Sequence, residues 1–363
     1  MREGTSMQAG DDRGSNCCAA PINPQEEYMS FCKCRTNRGW LMIVAATVLF
    51  VSFSTAAAGY PNRVLTTIDS LPNVSGLCLS SDDSKLYIAY WVCPGSIVDE
   101  YDLIGDSLIQ RIPFGSCHGD VVLSADDRYL FTPNYYYSNI ARIDLLGGNA
   151  QSDLGVGNSW PGDLDITPDN SKILVKVGMD GSSYDQNNDQ ITIVDVATYS
   201  ILAQVPLNDE PAKYKTGFSS DGTKAYVSTH RRKSSSALLY EISLVSPYDV
   251  LRTTPIAGEA WPDWRPQGVT VTDSKAYVVD YDNGQILVID LATFTQTGVI
   301  AVGGNPTTLA ITPDGNYMYA VNIDQSVSII DIATHTVIDK ITGLPPNPND
   351  IEFSRDGAKA YIG

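Results

Sequence analysis

The chain is poor in histidine. Only His118, His230 and His335 occur among 363 residues, and they form neither HExxH nor a paired metal-binding spacing. A catalytic metal centre built on imidazole is therefore not expected. There is no Gly-x-Ser-x-Gly elbow and no phosphate loop, so the common signatures of serine hydrolysis and nucleotide binding are absent. Basic residues are scarce: 24 Lys+Arg stand against 42 Asp+Glu, a net charge of −18. Such a surface repels phosphate, which argues against nucleic acid and anionic lipid as partners. Long apolar runs are also lacking. The stretch Trp40–Phe53 has 14 residues, short of the roughly 20 a spanning helix needs. No helical period is visible after residue 58.

What is present favours short strands. Hydrophobic residues make up 43%, enough for a large core and against global disorder. The 20 Tyr, 20 Pro and 29 Gly suit strands and turns better than long helices. The length allows two domains at about 150 residues each, but all-β folds often use 200–250 residues as one.

Residues 33–58 read as an export signal. Lys33, Arg35 and Arg38 form a basic region, Trp40–Phe53 an apolar one, and Ala56-Ala57-Ala58 fits cleavage before Gly59. The sequence thus predicts a leader over 1–58 and a folded domain over 59–363. The expected location is exported: periplasm, extracellular space or cell surface. A retained anchor is the alternative, and only then is a membrane a partner. Met29 would give a more ordinary signal start. Cys17, Cys18, Cys32 and Cys34 lie in this leader and match no zinc spacing. The leader carries five basic and five acidic residues, so the acidity belongs to the folded part.

One unit repeats seven times. An apolar strand runs into a Ser/Thr-x-Asp-Gly-like turn whose Ser or Thr falls at 80, 124, 167, 219, 272, 312 and 354, with spacings of 44, 43, 52, 53, 40 and 42. A Tyr-rich strand follows each turn, as in Leu86-Tyr87-Ile88 and Tyr319-Ala320-Val321-Asn322. A third strand ends in Asp, as in Ile191–Asp195, Ile286–Asp290 and Val327–Asp331. The period is that of a four-stranded propeller blade. The sequence predicts an all-β, seven-bladed β-propeller.

The copy at Gly304-Asn305-Pro306, Ile311-Thr312-Pro313-Asp314-Gly315, Tyr319-Ala320-Val321-Asn322 and Ser328-Ile329-Ile330-Asp331 resembles the YVTN β-propeller repeat family. The resemblance covers residues 63–363, and the first, second and fourth copies depart most from it. It implies a secreted, periplasmic or surface-layer propeller and says little about chemistry. The last copy stops in its second strand at Tyr361-Ile362-Gly363, while Arg63–Ile68 looks like a fourth strand. The terminal blade is expected to draw strands from both ends and to lack its third. That predicts a fragment, or a blade completed some other way.

Strand order sorts the loops onto two faces. The turns at the seven Ser/Thr positions are tight and alike. The opposite face carries the variable loops, with Trp91, Tyr135, Tyr136, Tyr137, Trp160, Tyr184, Trp261 and Trp264, and the basic run Arg231-Arg232-Lys233. Rigid scaffolds place function on such loops. These rings are candidates to stack on a sugar, a peptide or another ring; the plainer alternative is that they pack on one another. Counting back four residues from the turn Ser or Thr reaches Asp120, Asp163, Lys215 and Asp350 at the hub entrance, and Asp165 and Glu352 sit two residues further on, so carboxylates gather there with Lys215 among them. Oxygen ligands of this kind hold hard cations. The repeats are also similar to those of gluconolactonase-like propellers, and that resemblance implies a metal there, although their Glu/Asn/Asp ligand set is not matched and a solvated acidic funnel is the simpler reading. No cofactor is expected. Calcium is the one alternative, at the hub, at the loop with Asp180, Asp185, Asn187, Asn188 and Asp189, or at Asp280-Tyr281-Asp282-Asn283-Gly284, where Asn283-Gly284 also reads as a hairpin turn.

Three cysteines follow the leader. Cys78 lies in an inner strand, and Cys93 and Cys117 sit on one face of neighbouring blades. A Cys93–Cys117 disulfide would close about 24 residues and contribute roughly 3 kcal/mol. The leading functional reading is an exported binding or structural module for a protein, peptide or carbohydrate, without catalysis. The rivals are a metal-dependent, lactonase-like hydrolase and the propeller part of a larger redox or surface-layer protein.

Overall fold

The sequence period reappears as seven four-stranded antiparallel sheets among the described residues. The computed structural model describes residues 46–52, 63–71, 73–90, 95–114, 119–157, 159–178, 189–230, 236–256 and 266–363. All lie within the unit Ile43–Gly363. Six sheets are each built from four consecutive strands: blade 1 over Val74–Phe114, blade 2 over Val122–Gly155, blade 3 over Pro161–Pro206, blade 4 over Gly217–Pro255, blade 5 over Pro266–Ala301 and blade 6 over Pro306–Thr342. The expected all-β propeller of four-stranded blades is what forms.

Burial explains the strand composition. In blade 1 the second strand, Lys85–Tyr90, buries Leu86, Tyr87, Ile88, Ala89 and Tyr90 together. Both faces of a blade pack on neighbours, so its inner strands read as continuous apolar runs rather than as alternating ones. The apolar clusters lie between blades. Tyr277, Val279, Ile286 and Val288 of blade 5 meet Leu309, Met318, Ala320 and Ile330 of blade 6. Each fully buried Leu or Ile side chain is worth about 1.5–3 kcal/mol. The outermost strands, such as Thr336–Thr342, are mostly exposed.

The seven turns are built from their own side chains. In six of them the Ser or Thr hydroxyl donates to the Asp two residues on, at 2.5–2.7 Å: Ser80 to Asp82, Ser124 to Asp126, Thr167 to Asp169, Ser219 to Asp221, Thr312 to Asp314 and Ser354 to Asp356. The next residue adopts a left-handed backbone: Asp83, Asp127, Asn170, Gly222, Gly315 and Gly357 have φ between 55° and 73°. Asp, Asn and Gly tolerate this region best.

These left-handed residues also latch one blade to the preceding one. The Arg355 N–H donates to Asp83 (2.7 Å), the Ser81 N–H to Asp127 (2.7 Å) and the Ala125 N–H to Asn170 (2.7 Å). Where the donor position is proline, at Pro168 and Pro313, the acceptor position of the next blade is glycine, Gly222 and Gly357. A missing N–H is thus matched by a missing acceptor, and no polar atom is orphaned. The shorter Thr272 turn of blade 5 interrupts the series.

The seventh sheet draws strands from both ends of the sequence and completes its third position in another way. It has four strands in the order Arg63–Leu71, Ala46–Ser52, Lys359–Ile362, Ile351–Phe353. The third position is not vacant: Ala46–Ser52 fills it, pairing antiparallel with Lys359–Ile362 on one side and Arg63–Leu71 on the other. The physical reason is that an apolar, β-branched run such as Ala-Thr-Val-Leu-Phe-Val-Ser suits a sandwiched strand as well as it suits an export signal. These residues lie on the leader side of the boundary drawn at 58.

Candidate functional site

The hub holds a cavity of about 300 Å³. Its inner end is set by Asp120, Asp350 and Lys215, and its outer end by turn residues such as Ala125 and Arg355. The first strands of blades 1, 2, 3 and 7 form its wall. Gly76 makes room at the inner end, since a Cβ there would lie 2.5 Å from Asp120 Oδ1.

Lys215 organises the inner end. Its Nζ donates to Glu352 Oε1 (2.6 Å) and to the Ile351 carbonyl (2.7 Å), and Asp350 Oδ1 is 3.7 Å away. Asp350 in turn accepts the Leu77 N–H at 2.8 Å, joining blade 7 to blade 1. Asp163 accepts from the Tyr214 N–H, and Asp165 from the Thr216 N–H at 3.0 Å, joining blade 3 to blade 4. Lys176, 2% exposed, lies 3.1 Å from Asp165. Four hub carboxylates therefore hold the ring together.

The charges there are strongly coupled. Burial, with Asp163, Asp350 and Asp165 close by, holds the Asp120 carboxyl well above its ordinary value. Burial raises Asp163, against Lys176 and the Tyr214 N–H. Burial also raises Glu352, against the pull of Lys215. Burial alone would lower the Lys215 ammonium, but Glu352 and Asp350 outweigh it and raise it. Cys78 is buried on the cavity wall, and burial foremost, then Glu352 and Asp120, push its thiol well up.

The metal expectation meets this arrangement directly. The ammonium of Lys215 lies beside Glu352 and Asp350 and neutralises part of the acidic cluster. No group of three or more His, Cys, Asp or Glu side chains arranged to hold a metal occurs among the described residues. At Asp280–Gly284 the Asp280 carboxylate accepts from the Asn283 side chain (3.0 Å) and the Gln285 side chain (2.7 Å), and Gly284 has φ 61°. That is the hairpin-turn reading. Of the other oxygen-rich loop, Asp189 is buried, and Asp180, Asp185, Asn187 and Asn188 lie outside the described residues.

On the opposite face the structure brings three predicted aromatics together. Tyr135 and Trp160 have ring centroids 4.5 Å apart, Tyr136 and Trp160 are 5.7 Å apart, and Tyr135 and Tyr136 meet edge-on at 5.5 Å. Tyr137 is 67% exposed beside them. Trp91, Tyr184, Trp261, Trp264 and the Cys93–Cys117 pair lie outside the described residues.

Sequence reasoning located the hub carboxylates by counting back from the turns. It missed Asn170, Asp127, Cys78 and Arg355, because the cavity opens among turns that look alike. The signal was there: the turn residues Asp83, Asp127 and Asn170 keep side chains where other blades have glycine.

No protein-family model matches the chain, so the YVTN resemblance rests on the motif alone. Protein NirF of Pseudomonas aeruginosa is 33% identical over 103 residues, which is 26% of this chain and 25% of NirF. The match thus spans about a quarter of that relative's length. Hydrazine synthase of Kuenenia stuttgartiensis superposes with a TM-score of 0.66 at 18% identity, over 80% of this chain and 92% of that one. At that identity the likeness concerns the fold. The chain is a β-propeller with distant similarity to NirF and to the fold of a hydrazine synthase chain.

Proposed function

We propose that this protein is an exported propeller that works as a binding module, taking a small cationic polar molecule into the hub from the side of the seven turns. The hub cavity carries this reading. Asp83, Asp120, Asp127, Asp165, Asp350 and Glu352 line it against only Lys215 and Arg355, so it favours cations over anions. The test is calorimetric titration at low salt with putrescine, calcium, glucose and citrate. Putrescine should bind, citrate should not, and Asp165→Asn should weaken the binding. Equal binding of citrate, or binding of calcium alone, sinks the reading; the latter would return the metal-dependent alternative. Export is read from the leader and predicts a secreted product beginning at Gly59, checked by N-terminal sequencing.

A second reading is favoured by the Tyr135, Tyr136 and Trp160 cluster. Its rings already pack on one another and leave Tyr136 and Tyr137 facing solvent. Such a surface suits a sugar or peptide ring.

A further inference from the structure

Two polar side chains beside the hub are buried and have no hydrogen-bond partner among the described residues: the Lys176 ammonium and the Thr216 hydroxyl. Lys176 is 2% exposed and Thr216 7%. They come from different blades, Lys176 from Lys172–Val177 of blade 3 and Thr216 from the position just before Gly217–Phe218 of blade 4. One carboxylate brings them together. Asp165 Oδ2 accepts the Thr216 N–H at 3.0 Å and lies 3.1 Å from Lys176 Nζ, and Asp165 lines the cavity. Asp83 repeats the situation at the outer end of the cavity. Its Oδ2 accepts the Arg355 N–H at 2.7 Å, whereas its Oδ1 is buried with no hydrogen-bond partner among the described residues. Buried polar groups are ordinarily paired, so each of these three atoms asks for an explanation.

The three atoms differ in the partner they need. An ammonium donates three hydrogen bonds and accepts none, so Lys176 calls for an oxygen acceptor. That oxygen must be neutral, because an anion would meet the charge of Asp165 there. A hydroxyl meets both conditions: it accepts from Lys176 Nζ and donates to Thr216 Oγ1. Asp83 Oδ1, as a carboxylate oxygen, calls for a donor, and an alkylammonium is one that suits the acidic lining. We propose that the hub ligand is a hydroxylated amine, an amino alcohol or amino sugar. Its hydroxyl is held beside Asp165, between Lys176 and Thr216, and its ammonium by the carboxylates that line the cavity, Asp83 among them. This assignment rests on the cation reading of the hub and narrows it. A plain diamine serves the carboxylates but leaves Lys176 and Thr216 unserved, and a plain sugar does the reverse. A site whose buried polar groups wait for a hydroxyl rejects an analogue lacking it more sharply than an apolar wall rejects a missing methylene.

The test is calorimetric titration of the full chain at pH 6.5 and low salt with 1,3-diaminopropane and 1,3-diamino-2-propanol, which differ by a single hydroxyl. The amino alcohol should bind about tenfold tighter, the gain expected from pairing two buried groups. Glucosamine should compete with it, and glucose should not. Thr216→Val should abolish the preference for the amino alcohol, and Thr216→Ser should keep it. Equal affinities of the two amines for the parent chain overturn the assignment and leave the cation reading standing; Lys176 and Thr216 are then served by water. Binding of neither amine overturns both. A preference that survives Thr216→Val also overturns the assignment, since the hydroxyl is then recognised elsewhere. The parent comparison needs no variant, so a poorly folded Thr216→Val would not shield the proposal.

Discussion

Lys215 of blade 4 reaches across the hub to Glu352 of blade 7, with Nζ 2.6 Å from Oε1, and its neighbour Tyr214 reaches Asn349 in the same direction at 3.4 Å. One ammonium thus ties together blades that are not adjacent in the ring. Lys215→Met should expose Asp350, Glu352 and Asp120 to one another's charge. Breaking a fully buried pair costs about 3–5 kcal/mol; with side-chain exposures of 26% and 34% here, screening reduces this to about 1–3 kcal/mol. The loss should be largest near pH 8 and shrink towards pH 4 as Glu352 and Asp120, both raised foremost by burial, take up protons. Urea unfolding at both pH values checks it; an equal loss at each would remove the electrostatic account.

Asp120 makes the opposite prediction. Its folded-state pKa is raised, foremost by burial and then by neighbouring carboxylates. Its contribution to stability is therefore complete below the unfolded value near 3.9 and is lost as pH rises through the folded one. Asp120→Asn should melt higher than the parent at pH 7–8, and no higher at pH 3.5. A variant less stable at pH 8 would show that the charged form is needed.

The blade-to-blade latch can be tested as a pair. Ser81→Pro removes both donors that Asp127 accepts from, the Ser81 N–H at 2.7 Å and the Ser81 hydroxyl at 2.5 Å, leaving a carboxylate unserved at a cost of about 1–2 kcal/mol. Asp127→Gly keeps the left-handed backbone. The double variant reproduces the Pro168/Gly222 and Pro313/Gly357 arrangement, so it should recover much of the loss. A double variant equal to the sum of its singles would mean the two positions do not communicate.

The turn aspartates set the acid limit. Hydrogen bonds from Ser84 and Ser80 to Asp82, foremost from Thr167 to Asp169, and foremost from Ser219 to Asp221 lower each carboxyl to about 2. Depressed groups stabilise above the unfolded value near 3.9, and that support is lost as pH falls towards 2. Replacing all three by Ala should lower the urea midpoint at pH 7, and the gap should narrow below pH 4. A gap constant from pH 7 to 2.5 would contradict this origin.

The blades were legible because each one spells out its own turn: Ser or Thr, then Asp, then a residue that tolerates positive φ. The third-strand Asp was legible for the same local reason. The hub was half legible. Counting from the turns found Asp120, Asp163, Asp165, Lys215, Asp350 and Glu352, but which carboxylate Lys215 pairs with depends on ring geometry that no local pattern carries. The fate of Ala46–Ser52 was illegible in principle. Apolarity alone does not distinguish a stretch destined for a translocation channel from one pressed between two strands. The Tyr135–Trp160 contact also lay beyond sequence, since it joins residues of different blades.

The latch between turns carries a consequence for ancestry. A blade duplicated within the gene brings along both its donor residue and its acceptor residue, and each must suit an unfamiliar neighbour. A copy of blade 3 set after blade 6 would present the Asn170 amide to Pro313, which has no hydrogen to give. The ring therefore follows a grammar of adjacency, under which recombination between like pairs is silent and between unlike pairs is penalised. Repeats that look interchangeable are, at this one position, addressed to their places in the circle.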